Sequence, residues 1–176
     1  LDVQEADVAR VALDEGAECI AYVAPESGVS GGMAVVYFEG DVSDEDARPE
    51  HASRMLAGYQ RRVSKAQSQF GLPFIVIARP GLMGSSGFHL IGGRRDEGEA
   101  MSAAIDALKQ RYGFRRLALA GQSGGARIVA QLLVLGRSDV VCSAMAAGAY
   151  GIPLAKGGGH VPTNVFGEAG RKYLVP

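Results

Sequence analysis

Several features that commonly announce a function are missing from this chain. It has two cysteines, Cys19 and Cys142, far apart in strand-like apolar runs. Two such residues make no disulfide framework, and both are expected to be reduced, buried small hydrophobes. There are three histidines, His51, His89 and His160, and no Cys or His pair at ligand spacing, so no metal centre is expected. No Gly-x-x-x-x-Gly-Lys loop is present, and no cofactor is implied. The net charge is −1 with no basic run, which argues against nucleic acid or a membrane surface as partner. No apolar run approaches the length of a membrane span, and Asp2, Glu5 and Asp7 stand where a secretory signal would be basic, then apolar. The first residue is Leu1 rather than methionine, so a removed leader stays open, and with it the choice between cytoplasm and a secreted or periplasmic site. There is no internal repeat. The oligomeric state has no signature here.

What remains is a chain of 176 residues, 47% hydrophobic and 21% charged, enough for a single domain with a sizeable core. Small-molecule or peptide chemistry is the default partner class. Residues 10–13 and 17–24 read as two strands around Asp14-Glu15-Gly16, a hairpin turn signal. Residues 33–38 are a continuous apolar run suited to a strand buried on both faces. Pro49 near the start, with Met55, Leu56, Tyr59 and Val63 at helical spacing, predicts a helix over 47–69 ended by Gly71. A strand over 72–78 and a breaker-rich loop over 79–87 follow. Met101, Ile105 and Leu108 share one face of a helix over 94–112, with Glu97 and Glu99 in its early turns and Gly113 at its C-cap. A strand over 115–120, a helix opening at residue 124 and closing at Gly136, and a strand over 140–147 complete the regular part. Ile128, Val129, Leu132, Leu133 and Leu135 give that last helix a wide apolar face. Beyond Tyr150, glycines and prolines punctuate a tail with no periodicity. Strands alternating with helices after a hairpin imply an α/β fold with a mainly parallel, twisted sheet covered on both faces.

The chemistry points to Gly121-Gln122-Ser123-Gly124-Gly125, between the apolar strand and the helix. A serine on a sharp strand-to-helix turn needs small residues two before and two after it, so that neighbouring backbone does not clash. Gly121 and Gly125 fill those places. The turn lifts the Ser123 hydroxyl out of the sheet, and the free N–H groups at the helix start can stabilise an oxyanion. A Gly-x-Gly-x-x-Gly dinucleotide turn does not fit, because the glycines fall at 121, 124 and 125.

In this order of elements the chain resembles the α/β-hydrolase fold up to its sixth strand, and the turn resembles its nucleophile elbow. More narrowly, Phe38-Glu39-Gly40-Asp41, Arg79-Pro80-Gly81 with Gly84-Ser85-Ser86-Gly87, and the elbow resemble bacterial hydrolases related to prolyl-oligopeptidase-type serine peptidases and esterases. The resemblance covers roughly residues 10–150. It implies a serine hydrolase of ester or peptide bonds, with Ser123 as nucleophile and the N–H groups of Gly124 and of the Gly40 region as oxyanion donors. It also implies a domain ending before its last strands, with the acid and histidine of the triad beyond Pro176. A noncatalytic binding protein on the same fold is the alternative.

Within the sequence, Asp139 and Glu168 are the acids after Ser123, and His160 is the histidine. Asp139 is expected at the amino end of its strand, away from the serine. Glu168 follows His160, reversing the family's order of serine, acid, histidine. His160 therefore stands as a minor candidate for the base. Gln122, Arg79 and His89 are candidate substrate contacts. Arg79 is equally expected to brace the glycine loop, and His51 to face solvent. Ser85 and Ser86 read as turn formers bonding local backbone. Glu39 stands where many relatives have histidine. A carboxylate facing an oxyanion would raise the barrier, so Glu39 is expected to brace the loop or point away.

Overall fold

A computed structural model describes residues 7–13, 16–25, 32–43, 45, 47–87 and 97–148. They form one six-stranded sheet in the order β1-β2-β4-β3-β5-β6. The strands are β1 Asp7–Leu13, β2 Gly16–Val23, β3 Met33–Phe38, β4 Phe74–Ile77, β5 Arg116–Gln122 and β6 Val140–Ala146. β1 and β2 pair antiparallel as a hairpin, and β2 meets β4 antiparallel through Tyr22 opposite Ile77. From β4 to β6 the pairing is parallel throughout.

Three helices cover this sheet: α1 Ala52–Phe70, α2 Glu97–Tyr112 and α3 Gly124–Val134. Alternation along β3 distributes the core between two faces. Ala34, Val36 and Phe38 join Met101, Ile105 and Leu108 of α2 and Ile128, Val129 and Leu132 of α3 in one cluster. On the other face Val76, Ala21 and Val23 pack with Leu56, Tyr59 and Val63 of α1. Val35 and Tyr37, on the α1 side of β3, are only half-buried. The strand is thus fully dry on one face rather than two. α1 ends where Gly71 takes the left-handed conformation, φ 64°, and donates its N–H to the Gln67 carbonyl, a C-cap that glycine adopts without strain.

Both cysteines depart from expectation, being free but exposed. Only the second half of β2 is buried, where it runs beside β4, and Cys19 precedes that half. Cys142 lies on β6, an outermost strand among the described residues, whose side chains are exposed from Val141 to Ala146. Leu133 and Leu135, expected to pack on the sheet, are 38% and 48% exposed. The apolar surface of α3 is wider than the part the described sheet covers.

Candidate active site

Among the described residues, three other than glycine have positive φ: Met83 at 52°, Ser123 at 52° and Ala147 at 51°. Each lies in the segment leaving the carboxyl end of a parallel strand, β4, β5 and β6 respectively. Backbone strain gathered at one edge of a sheet is a marker of function. Ser123 carries the strain where β5 turns into α3, with φ 52° and ψ −117°, and its side chain makes no capping hydrogen bond to the helix it opens.

The turn is possible because glycines flank it. A Cβ on Gly121 would overlap the Gly125 carbonyl and stand 2.7 Å from the Ala126 nitrogen. One on Gly125 would overlap the carbonyl of Phe38, so α3 lies directly on the end of β3. The Ser123 N–H is taken, donating to the Ala146 carbonyl at 2.8 Å, and Ala126 and Arg127 donate back to the Ser123 carbonyl at 3.0 and 3.4 Å. Gly124 is the first residue of α3, where a backbone N–H has no acceptor within the helix.

Gly40 closes in from the neighbouring strand end. A Cβ there would lie 3.1 Å from Cβ of Ser123 and 2.8 Å from Oε1 of Gln122, whose exposed side chain borders the same spot. The Gly40 N–H makes a long contact, 3.4 Å, to the carboxylate of Glu39. That carboxylate also accepts from the Tyr37 hydroxyl at 3.1 Å and is ion-paired with Arg62 of α1. Glu39 is thereby tied to α1 as well as to its own loop.

Arg79 departs from its candidate role as a substrate contact. It is 1% exposed, and every arm of its guanidinium is engaged: Nε donates to Glu97 at 2.7 Å, Nη2 to Glu97 at 3.3 Å and Nη1 to Asp41 at 2.5 Å. Burial opposes the charge on Arg79, but Glu97 and Asp41 outweigh it and raise its pKa above the ordinary arginine value. Its fork is buried among protein carboxylates and is not presented to a substrate. Arg127 of α3 adds a second contact to Asp41 at 3.3 Å. Asp41 was legible in the sequence as part of the Phe38–Asp41 motif and Glu97 as an early-turn acid of α2, but neither with an arginine partner, and Arg127 was missed. The available signal was an arginine inside the apolar run Ala126–Ala130, which requires a carboxylate partner.

The two serines of the loop after β4 make local turn bonds through their main chain, the Ser85 N–H donating to the Leu82 carbonyl and the Ser86 carbonyl accepting from the Gly81 N–H, but their hydroxyls bond a distant strand. Ser85 Oγ accepts the Ala21 N–H at 2.9 Å and Ser86 Oγ that of Cys19 at 2.7 Å, fastening the loop to β2. Asp139 does precede β6 at the edge of the sheet opposite Ser123, where it accepts from Lys109 at 2.5 Å and Arg137 at 2.7 Å. His51 is half-buried, its Nδ1 2.8 Å from the Glu45 carbonyl. His89, His160 and Glu168 lie outside the described residues. Among those described, no cluster of His, Cys, Asp and Glu suits a metal ion, and no helix is long and apolar enough to cross a membrane.

The strand order is that of the α/β-hydrolase fold. No family model matches the chain, and no curated protein matches its sequence. Solved structures do match. An esterase of Pyrococcus furiosus is similar over 83% of this chain and 50% of its own, with 18% identity and a TM-score of 0.59. A thermophilic esterase of Thermogutta terrifontis is similar over 82% and 47%, at 14% identity and TM-score 0.56. A bacterial membrane phospholipase A is similar over 86% and 42%, at 22% identity and TM-score 0.51. The chain thus spans about half the length of the structures it matches. At these identities the likeness is one of fold.

Proposed function

We propose that this chain carries the nucleophile of a serine hydrolase acting on ester or peptide bonds. The observation that supports this most is the left-handed backbone of Ser123 at the end of β5, in a turn that the closeness of Gly121 and Gly125 to neighbouring backbone makes possible. An unassisted hydroxyl is a poor nucleophile at neutral pH, so a base must take its proton as Oγ attacks the acyl carbon. The resulting oxyanion is held by the N–H of Gly124 and, once freed from its long contact to Glu39, by that of Gly40. The leaving group departs with the proton, leaving an acyl-serine. Water, deprotonated by the same base, then releases the acid and restores Ser123.

The base and its orienting acid come from chain that follows β6. His160 is one candidate for the base. The similarity to esterase folds favours esters over peptides as first substrates to try. The test is labelling of the natural full chain with a fluorophosphonate probe. Adduct at Ser123, abolished in Ser123→Ala, is the expected result. Adduct at another residue, or none, removes the hydrolase reading in favour of a noncatalytic binding protein. Loss of labelling in His160→Ala but not in His89→Ala is the result that makes His160 the base.

A further inference from the structure

We propose that Asp41, gripped by Arg79, is a positioning residue that sets the gap between the two oxyanion donors, a reading that rests on Ser123 being the nucleophile. Asp41 directly follows Gly40, so holding its carboxylate restrains the backbone that carries the Gly40 N–H. The same carboxylate lies against Gly124. A Cβ on Gly124 would collide with Oδ1 of Asp41 and stand 2.5 Å from Nη1 of Arg79. One ion pair therefore touches the residue bearing one donor and is one peptide away from the other.

The grip is anchored in the protein interior. Arg79, 1% exposed, reaches Asp41 with Nη1 while Nε and Nη2 are held by Glu97, itself 7% exposed, in the first turn of α2. Arg127, three residues beyond Gly124 on α3, contacts the same Asp41 oxygen at 3.3 Å. The segment after β3, the segment after β4 and α3 thus meet at the Asp41 carboxylate, and Arg79 ties them on to α2 through Glu97. An oxyanion hole works only when its donors stand about 2.7–3.1 Å from the developing charge, and a misplacement of about 1 Å can cost about 100-fold in rate. A device that holds Gly40 against Gly124 supplies that tolerance. The burial and full engagement of Arg79 leave none of its donors for a substrate.

The test uses the full chain with p-nitrophenyl acetate as ester probe and a fluorophosphonate as active-site label. Asp41→Asn keeps the shape and removes the charge that holds Arg79. It should lower kcat and the labelling rate by about 10- to 100-fold, with KM changed by less than about twofold, since donor geometry matters most in the transition state. Asp41→Glu keeps the charge but lengthens the stem, and it should also lose kcat although it still pairs with arginine. If Asp41→Asn fails to fold, Asp41→Glu carries the decision. Asp7→Asn, which removes an exposed pair with Arg111, is the control and should leave kcat unchanged. Parent-level kcat in the folded Asp41 variants, or a loss confined to KM, overturns the positioning role while leaving the hydrolase reading intact. A parent chain that does not label at Ser123 overturns both.

Discussion

Arg79 and Arg137 stand at opposite ends of the parallel sheet, each holding two carboxylates, and they are built differently. Arg79, at the carboxyl end, is 1% exposed and shares its donors between Glu97 and Asp41, whose side chains are 7% and 24% exposed. Arg137, at the amino end, is 9% exposed and binds Asp139, Asp106 and both oxygens of Ser102. One of its acids, Asp106, is 57% exposed, and the other has Lys109 as a second partner. The amino-end network can lose a member and let water or a neighbour replace it. The carboxyl-end network is less forgiving, because Glu97 is buried and Asp41, although it has Arg127 as a second partner, lies against the backbone of the elbow. The most buried members, Arg79, Glu97 and Arg127, belong to the end where the donors of the proposed reaction must be held, while the most exposed, Asp106, helps fasten α2 to β6.

Breaking the carboxyl end at its closest backbone contact should have the largest effect. Gly125→Ala places a methyl into the Phe38 carbonyl, and no flexible side chain is there to yield. We expect a loss of roughly 3 kcal/mol or more, from the upper range of overpacking costs, together with loss of labelling at Ser123. Gly58→Ala in α1, where nothing stands within 4 Å, is the matched comparison and should be neutral or slightly stabilising. Urea unfolding measures both.

The two arginines test the contrast directly. Arg79→Met takes the cation from buried Glu97 and leaves Asp41 with Arg127 alone, and should cost about 3–5 kcal/mol. Arg137→Met leaves Asp106 hydrated and Asp139 on Lys109, and should cost about 1–2 kcal/mol. Equal losses in urea unfolding would show that the two ends are built alike.

The finest distinction is in pH. Desolvation works to raise the Asp139 pKa, but hydrogen bonds from Arg137 and Lys109 outweigh it and hold it at about 2, below the ordinary 3.8. A depressed carboxylate stabilises the fold above its unfolded pKa and loses that contribution as pH falls toward the folded value. The stability gap between the parent and Asp139→Asn should therefore be present in full well above pH 3.8 and close as pH falls to about 2. Fluorophosphonate labelling of Asp139→Asn at the proposed nucleophile Ser123 should match the parent near neutrality. A gap that stays constant down to pH 2 would remove the ion-pair account.

Much of the fold was legible because its signals are local. The apolar run 33–38 is β3 at its predicted bounds, and Gly71 ends α1 where predicted. Ser123 was legible for the same reason, since a strand, small residues and a helix start occur within a few positions of one another. The cysteines were misread because burial depends on which strands and helices lie alongside, and β6 and the first half of β2 lack that cover. Ser85 and Ser86 were read as local because their partners on β2 are more than 60 residues away in the chain.

The sequence by itself determined the elements, their alternation and the strained serine turn, because periodicity, capping and glycine placement act over one or two turns of chain. Tertiary structure alone decided that Arg79 faces Asp41 and Glu97 rather than a substrate, that Arg127 joins them, and that Gly40 reaches Ser123. Those are encounters between β3, β4, β5 and α2 across the parallel sheet. A charged side chain takes whichever opposite charge the fold buries beside it, and no local pattern specifies which one that is.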